Sequence, residues 1–272
     1  DQEGNWVPTT RHDLVTPGKL YGYRPHSHGM VPPNPKTPDT VDYELPMCWI
    51  PKSVDNSAGG QAWITSDQWG PFKGRLVHTS YGKARLFLTM YEEVDGVTQG
   101  GIVQFPLDFD TGIMRARVNP RDGQLYVLGM RGWQTDGPRD SGFYRVRYTG
   151  KPVNMPTMLN VKPDGVLLTF TDPLDKKSAG DVNNYSVERW NYVYSSKYGS
   201  PEYSVENPRR KGHDTVDIDG VEVSADGKQV KVLIEDIQPV MSQSIRFNLK
   251  AADGSPVKYT IYHTIHRVPQ DK

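Results

Sequence analysis

The sequence predicts an all-β protein, on three observations. Its 272 residues include 26 glycines and 22 prolines. Tyrosine and tryptophan are abundant, at 15 and 6. No long segment repeats apolar residues at the three-and-four spacing of an amphipathic helix, so short strands punctuated by turns are the expected elements.

Residues 1–45 read as loop: a turn at Pro17-Gly18, a short KLYGY strand, and a proline-dense tract from Pro25 to Pro46 that prevents pairing inside a sheet. Residues 46–106 form a second unit, with strands expected at 61–65, 75–79, 84–91 and 101–105. The turn Val94-Asp95-Gly96-Val97 closes a hairpin. Residues 107–150 pack strand, turn and strand into one short unit. In Asn119-Pro120-Arg121-Asp122-Gly123, proline fixes φ, the aspartate bonds its own backbone and glycine supplies positive φ. The run 124–128 suits a buried strand. Residues 143–148 alternate large apolar with basic side chains, the mark of a strand with one wet face. This stretch reads as one blade of a β-propeller, and the leading portion, residues 1–152, as about three blades of a partial propeller.

After Gly150 the texture changes. Residues 151–156 look like a linker, and residues 153–272 carry strands expected at 165–170, 185–190, 220–223, 229–234 and 244–249, with turns at 162–165 and 225–227. Short strands at near-regular spacing argue for an Ig-like β-sandwich.

Composition narrows the function classes. Formal net charge is zero, which removes the general pull on nucleic acid that a basic protein exerts. No apolar run is long enough to span a bilayer. The single cysteine, Cys48, flanked by Met47 and Trp49, excludes an intrachain disulfide and reads as a small buried hydrophobe. The chain opens at Asp1 in what reads as a loop and is expected to be a processed protein or a piece of a longer one.

Among candidate sites, Arg115 and Arg117 stand two apart on one strand and project from the same face, a fixed pair of cations suited to an anion, a cofactor or a sugar. A salt bridge to Asp110, Asp122 or Glu92 is the alternative. Arg131 and Trp133 sit in a glycine-flanked loop where a ring and a guanidinium suit a sugar; a plug between blades is the alternative. His78, inside the strand pattern RLVHTSY, is the best candidate for a general base, against a hydrogen bond to a neighbouring carbonyl. His26 and His28 read as exposed. The aromatic insertion from Trp190 to Tyr203 suits sugar faces or contact between the two portions, and the latter is favoured. No nucleophile elbow or metal triad is found.

Residues 1–150 also resemble the C-terminal half of the soluble pyrroloquinoline-quinone (PQQ)-dependent sugar (glucose) dehydrogenase propellers, particularly the divergent relatives in large secreted proteins of planctomycete-type bacteria. The stretches that carry the resemblance are DQEGNWVPTTRHDLVTPGKLYGY, MCWIPKSVDNSAGG, GPFKGRLVHTSYGKARLFL and GIMRARVNPRDGQLYV. FTDPLDKKSAGDVNNYSVERW resembles the opening of bacterial Ig-like modules. The resemblance implies a secreted or periplasmic protein, a carbohydrate ligand, and a c-type cytochrome domain or protein as electron partner. It implies a calcium-held quinone, with Gln2, Glu3, Gly4 and Asn5 in the calcium loop, Gly4 and Asn5 also near the cofactor. Arg115 falls opposite a cofactor arginine, with Arg117 beside it, whereas Ile113 fills the other arginine position. The cofactor lysine falls at Tyr81 or Gly82, with Lys83 just beyond. The family's own general-base histidine belongs to the other propeller half. This chain by itself is therefore expected not to oxidise a sugar, and its open blade edges are expected to be covered by the missing half or by another chain. The alternative is a non-catalytic module that binds carbohydrate or protein.

Overall fold

The computed structural model describes residues 4, 7–19, 21, 44–195 and 197–270. His26, His28, most of the KLYGY run and most of the proline-dense tract lie outside the described residues, as do Gln2, Glu3 and Asn5. The chain is all-β, as the glycine and proline punctuation predicts.

In order, the strands are β1 (Thr10–His12), β2 (Cys48–Ile50), β3 (Ala58–Trp63), β4 (Leu76–Ser80), β5 (Arg85–Val94), β6 (Val97–Gln104), β7 (Gly112–Val118), β8 (Leu125–Met130) and β9 (Ser141–Val146). The trailing portion adds β10 (Pro156–Lys162), β11 (Gly165–Phe170), β12 (Tyr185–Trp190), β13 (Asp214–Val216), β14 (Gly220–Val223), β15 (Gln229–Leu233), β16 (Val240–Lys250) and β17 (Pro256–Ile265). The described helix is brief: α1 (Lys176–Ala179), capped by the Asp175 carboxylate, and two 3-10 turns.

The expected turns are present. Between β5 and β6, Asp95 and Gly96 both take positive φ, 48° and 75°, as a two-residue hairpin of this hand requires. At the 119–123 turn Gly123 sits at φ 67° and donates to the Asn119 carbonyl, while Asp122 accepts from the Gln124 amide.

Among the described residues four sheets form, and none closes on itself: β1-β2, β7-β8-β9, β10-β11-β15-β14, and an eight-stranded sheet in the order β13-β12-β16-β17-β6-β5-β4-β3. The last is the main departure from expectation. It runs straight across the boundary expected at residue 152, because β17 of the trailing portion pairs with β6 of the leading one (Ile261↔Val103, Tyr262↔Ile102, His263↔Gly101). Strand β17 reads V-K-Y-T-I-Y-H-T-I, an alternation that strand propensity favours, yet no strand is expected there from the sequence reading above. Its two neighbours, β16 and β6, bury it on both sides.

The four-stranded sheet stacks on the β12-β16-β17 part of the large one, with Phe170 edge-on to Phe247 at 5.6 Å between ring centres. One apolar core then continues from Ile64, Leu86 and Ile113 in the leading portion to Val166, Phe247 and Ile261 in the trailing one. At roughly 25 cal/mol per Å2 of buried apolar surface, such shared burial ties the two portions into one cooperative body. The aromatic insertion completes the join: Trp49 packs against Tyr192 and Tyr194 with centroids at 6.4 and 6.0 Å, the interportion contact that was favoured. Cys48 is fully buried, and burial pushes its thiol up to about 12.

Candidate functional site: a histidine–aspartate pair beside a polar cavity

Strands β3 and β4 pair with a bulge between Ala58 and Gln61, where Gly59 and Gly60 fall. Glycine is required at 59 because a Cβ there would lie 2.1 Å from the Ile113 carbonyl of β7. The bulge turns Gln61 opposite His78 and opens a cavity of about 450 Å3 lined by Arg11, Ser57–Gln61 and His78.

His78 is 3% exposed, and its Nε2 lies 2.6 Å from Oδ2 of Asp55, which is wholly buried. A carboxylate only accepts, so Nε2 is the donor, and in the neutral ring Nδ1 is the basic nitrogen. Nδ1 is buried and makes no hydrogen bond with a described residue. The carboxylate is further held by the Ser80 hydroxyl at 2.6 Å and the Ser57 amide at 3.0 Å, both donating to Oδ1. The carbonyl partner considered for His78 is therefore replaced by an acid 23 residues upstream, and sequence spacing carries no signal for it.

His12 stacks near His78, ring centres 5.3 Å apart. Burial first, then the charge of His78, pushes His12 down to about 3. Gln61 lies close enough to oppose this slightly, though neither His12 nitrogen completes a hydrogen bond of ordinary geometry. His12 is thus a neutral wall beside the hydrogen-bonded His78–Asp55 pair. Arg11, almost fully buried, is spent elsewhere: it forks onto Asp13 and lies over the Trp49 ring at 5.3 Å.

The remaining candidates are dispersed. Arg115 borders the same bulge: Nη1 donates to the Gly59 carbonyl at 3.1 Å and to Met114 at 2.7 Å. Arg117 donates to the Ala116 carbonyl at 2.7 Å. Neither pairs with Asp110, Asp122 or Glu92; Glu92 instead accepts from Gln99, Asn160 and the Val161 amide. Lys83 faces Asp136 at 3.5 Å and lines a different cleft, about 640 Å3, with Arg85, Lys258 and Tyr259. Trp133 is 86% exposed, so it plugs nothing, and Arg131 only reaches the Pro138 carbonyl at 3.4 Å.

These positions bear on the implied cofactor. The cations matched to the quinone carboxylates open onto separate places, Arg115 at the bulge and Lys83 at the larger cleft. The Gly4 carbonyl of the expected calcium loop already accepts from the Val7 and Gly199 amides, at 3.0 Å each. Among the described residues no cluster of three or more His, Cys, Asp or Glu side chains could hold a metal ion. The other three residues of the calcium loop, Gln2, Glu3 and Asn5, lie outside the described residues. Among the described residues no helix is long and apolar enough to cross a membrane.

No family model, curated protein or solved structure matches this chain.

Proposed function

We propose that this chain is the carbohydrate-binding part of a sugar-dehydrogenase-like protein, secreted or periplasmic, with the ligand in the cavity beside His78. One observation carries the reading: a buried histidine, fixed in one tautomer by a buried carboxylate, lines a polar cavity with its second nitrogen unspent. A neutral, hydroxyl-rich ligand suits that lining. Gln61 offers an amide donor and acceptor to sugar hydroxyls, the Gly59 and Gly60 carbonyls each keep a second lone pair, and Asp55 fixes the His78 ring as part of the cavity wall. The antiparallel meanders β3–β6 and β7–β9, of four and three strands, are of the up-and-down kind from which propeller blades are built, and they favour the partial-propeller reading. The β17–β6 ladder and the Trp49 aromatic cluster favour the trailing sandwich as a brace.

Calorimetric titration of the purified chain with neutral mono- and disaccharides tests this. Heat of binding with the unsubstituted chain, lost in His78→Gln and weakened in Gln61→Leu, is expected. If no sugar gives a heat, or if His78→Gln binds as well as the unsubstituted chain, the cavity is not a sugar site.

A further inference from the structure

The outward face of the three-stranded sheet is organised in rows. Register places Arg117, Tyr126 and Arg145 side by side across β7, β8 and β9, and Arg115, Leu128 and Phe143 in the next row. In β9 the alternation holds, with Phe143 on the wet face beside Arg145, while Tyr144 and Val146 turn inward against the core. Phe143 is 69% exposed and lies nearly parallel to Tyr126, centroids 5.4 Å apart at 21°.

None of the three arginines forms an ion pair with a described residue, whereas Arg85, Arg139, Arg189 and Arg210 each hold a carboxylate. Asp122, at the edge of the rows, takes the Tyr126 hydroxyl at 2.7 Å and feels the Arg145 charge. The face thus sets guanidinium groups without ion-pair partners beside the exposed Phe143 ring and the half-buried Tyr126 ring, in a chain whose formal net charge is zero.

We infer that this face binds an acidic polysaccharide. Its sugar rings lie on Tyr126 and Phe143, and its carboxylate or sulfate groups sit on the neighbouring guanidinium groups. Neighbouring strands stand roughly 4.8 Å apart, so in each row a guanidinium lies one or two strands from a ring. Arginine rather than lysine suits the task because its planar fork bonds both oxygens of one acidic group. A peptide of glutamate alone has no ring to lay on the aromatic pair. The inference extends the carbohydrate reading above to a second, charged ligand, and it uses different residues.

The test is affinity electrophoresis of the full chain through gels holding polygalacturonate, heparin, neutral dextran, poly-L-glutamate or oligo-deoxythymidine. Retardation by polygalacturonate or heparin is expected, none by dextran, and only weak retardation by the other two. Raising salt should relieve it. Arg117→Gln with Arg145→Gln should weaken binding by about tenfold or more, and Phe143→Ser should weaken it with an unchanged melting temperature. His78→Gln should leave polyanion binding intact while abolishing the neutral-sugar heat, so the two sites fail separately. Tighter binding to poly-L-glutamate or oligo-deoxythymidine than to either glycan, no retardation at all, or full binding by the arginine double variant would each overturn the proposal.

Discussion

The corner around Asp55 and the arginine face of β7–β9 meet at Gly59, yet they treat polar groups in opposite ways. In the corner, one buried carboxylate accepts from a histidine, a serine and a backbone amide. On the face, Arg115 and Arg117 find main-chain carbonyls and Arg145 reaches the Tyr126 hydroxyl. The contrast follows from solvent. A charge taken from water must be repaid by partners, whereas an exposed guanidinium is repaid by water and stays free for a ligand. Stability should therefore be concentrated in the corner and binding capacity on the face.

The sharpest way to break that contrast is Asp55→Asn. The side chain keeps its shape but loses the charge to which three donors are directed. Removing one partner of a buried ionic network costs about 3–5 kcal/mol, which for a chain of this size lowers the melting temperature by roughly 10 °C. A shift of under a degree in thermal unfolding would mean the corner is not the stabilising element.

Gly59→Val strikes the junction itself. The new side chain would enter the Ile113 carbonyl and the Thr79 hydroxyl, with Cβ 2.1 and 2.6 Å from them. Strands β3 and β7 must part, at roughly 1–3 kcal/mol. Circular-dichroism melts should place this variant between Asp55→Asn and the unsubstituted chain.

The two regions differed equally in legibility. The face was readable, since the i,i+2 spacing of Arg115 and Arg117 and the alternation of residues 143–148 are local facts. Phe143 shares the parity of Arg145, so its place on the wet face follows from the same alternation. The corner was only half readable: His78 stood out in its strand, but Asp55 joins it through a loop and a bulge that no periodicity encodes. The seam was the largest omission, for β17 alternates visibly and yet its partner β6 lies more than 150 residues earlier. Pairing between distant strands is fixed by the shared core, not by either strand alone.

Acid should act on the interior before the surface. Burial lowers His263 to about 3, as burial and then His78 lower His12 to about 3, both from an ordinary value of 6.5. A folded pKa depressed in this way means the unfolded chain binds the proton more readily, so this contribution is complete above about pH 6.5 and is lost as pH falls towards 3. His213 has the opposite sign. Burial lowers it, but hydrogen bonds that its ring nitrogens donate to the Glu188 and Glu202 carboxylates, at 3.0 and 2.7 Å, outweigh that and raise it, so its smaller contribution is present below pH 6.5 and fades as pH rises above its folded value. Melting temperature should therefore drop steeply on the acid side and sag gently on the alkaline side, and His213→Gln should remove only the sag.

The smallest expected change in stability belongs to Arg117→Gln with Arg145→Gln. Both side chains are solvated and neither holds a carboxylate among the described residues, so unfolding free energy should move by no more than about 0.5 kcal/mol. Chemical denaturation would measure it: an unchanged midpoint and slope are the expected outcome. A loss above about 1 kcal/mol would show that the arginines brace the sheet after all, and the contrast between a corner built for stability and a face left free would dissolve. A neutral result has the opposite force, because arginines that add nothing to the fold, yet stand in register beside exposed aromatic rings, need a ligand to account for their placement.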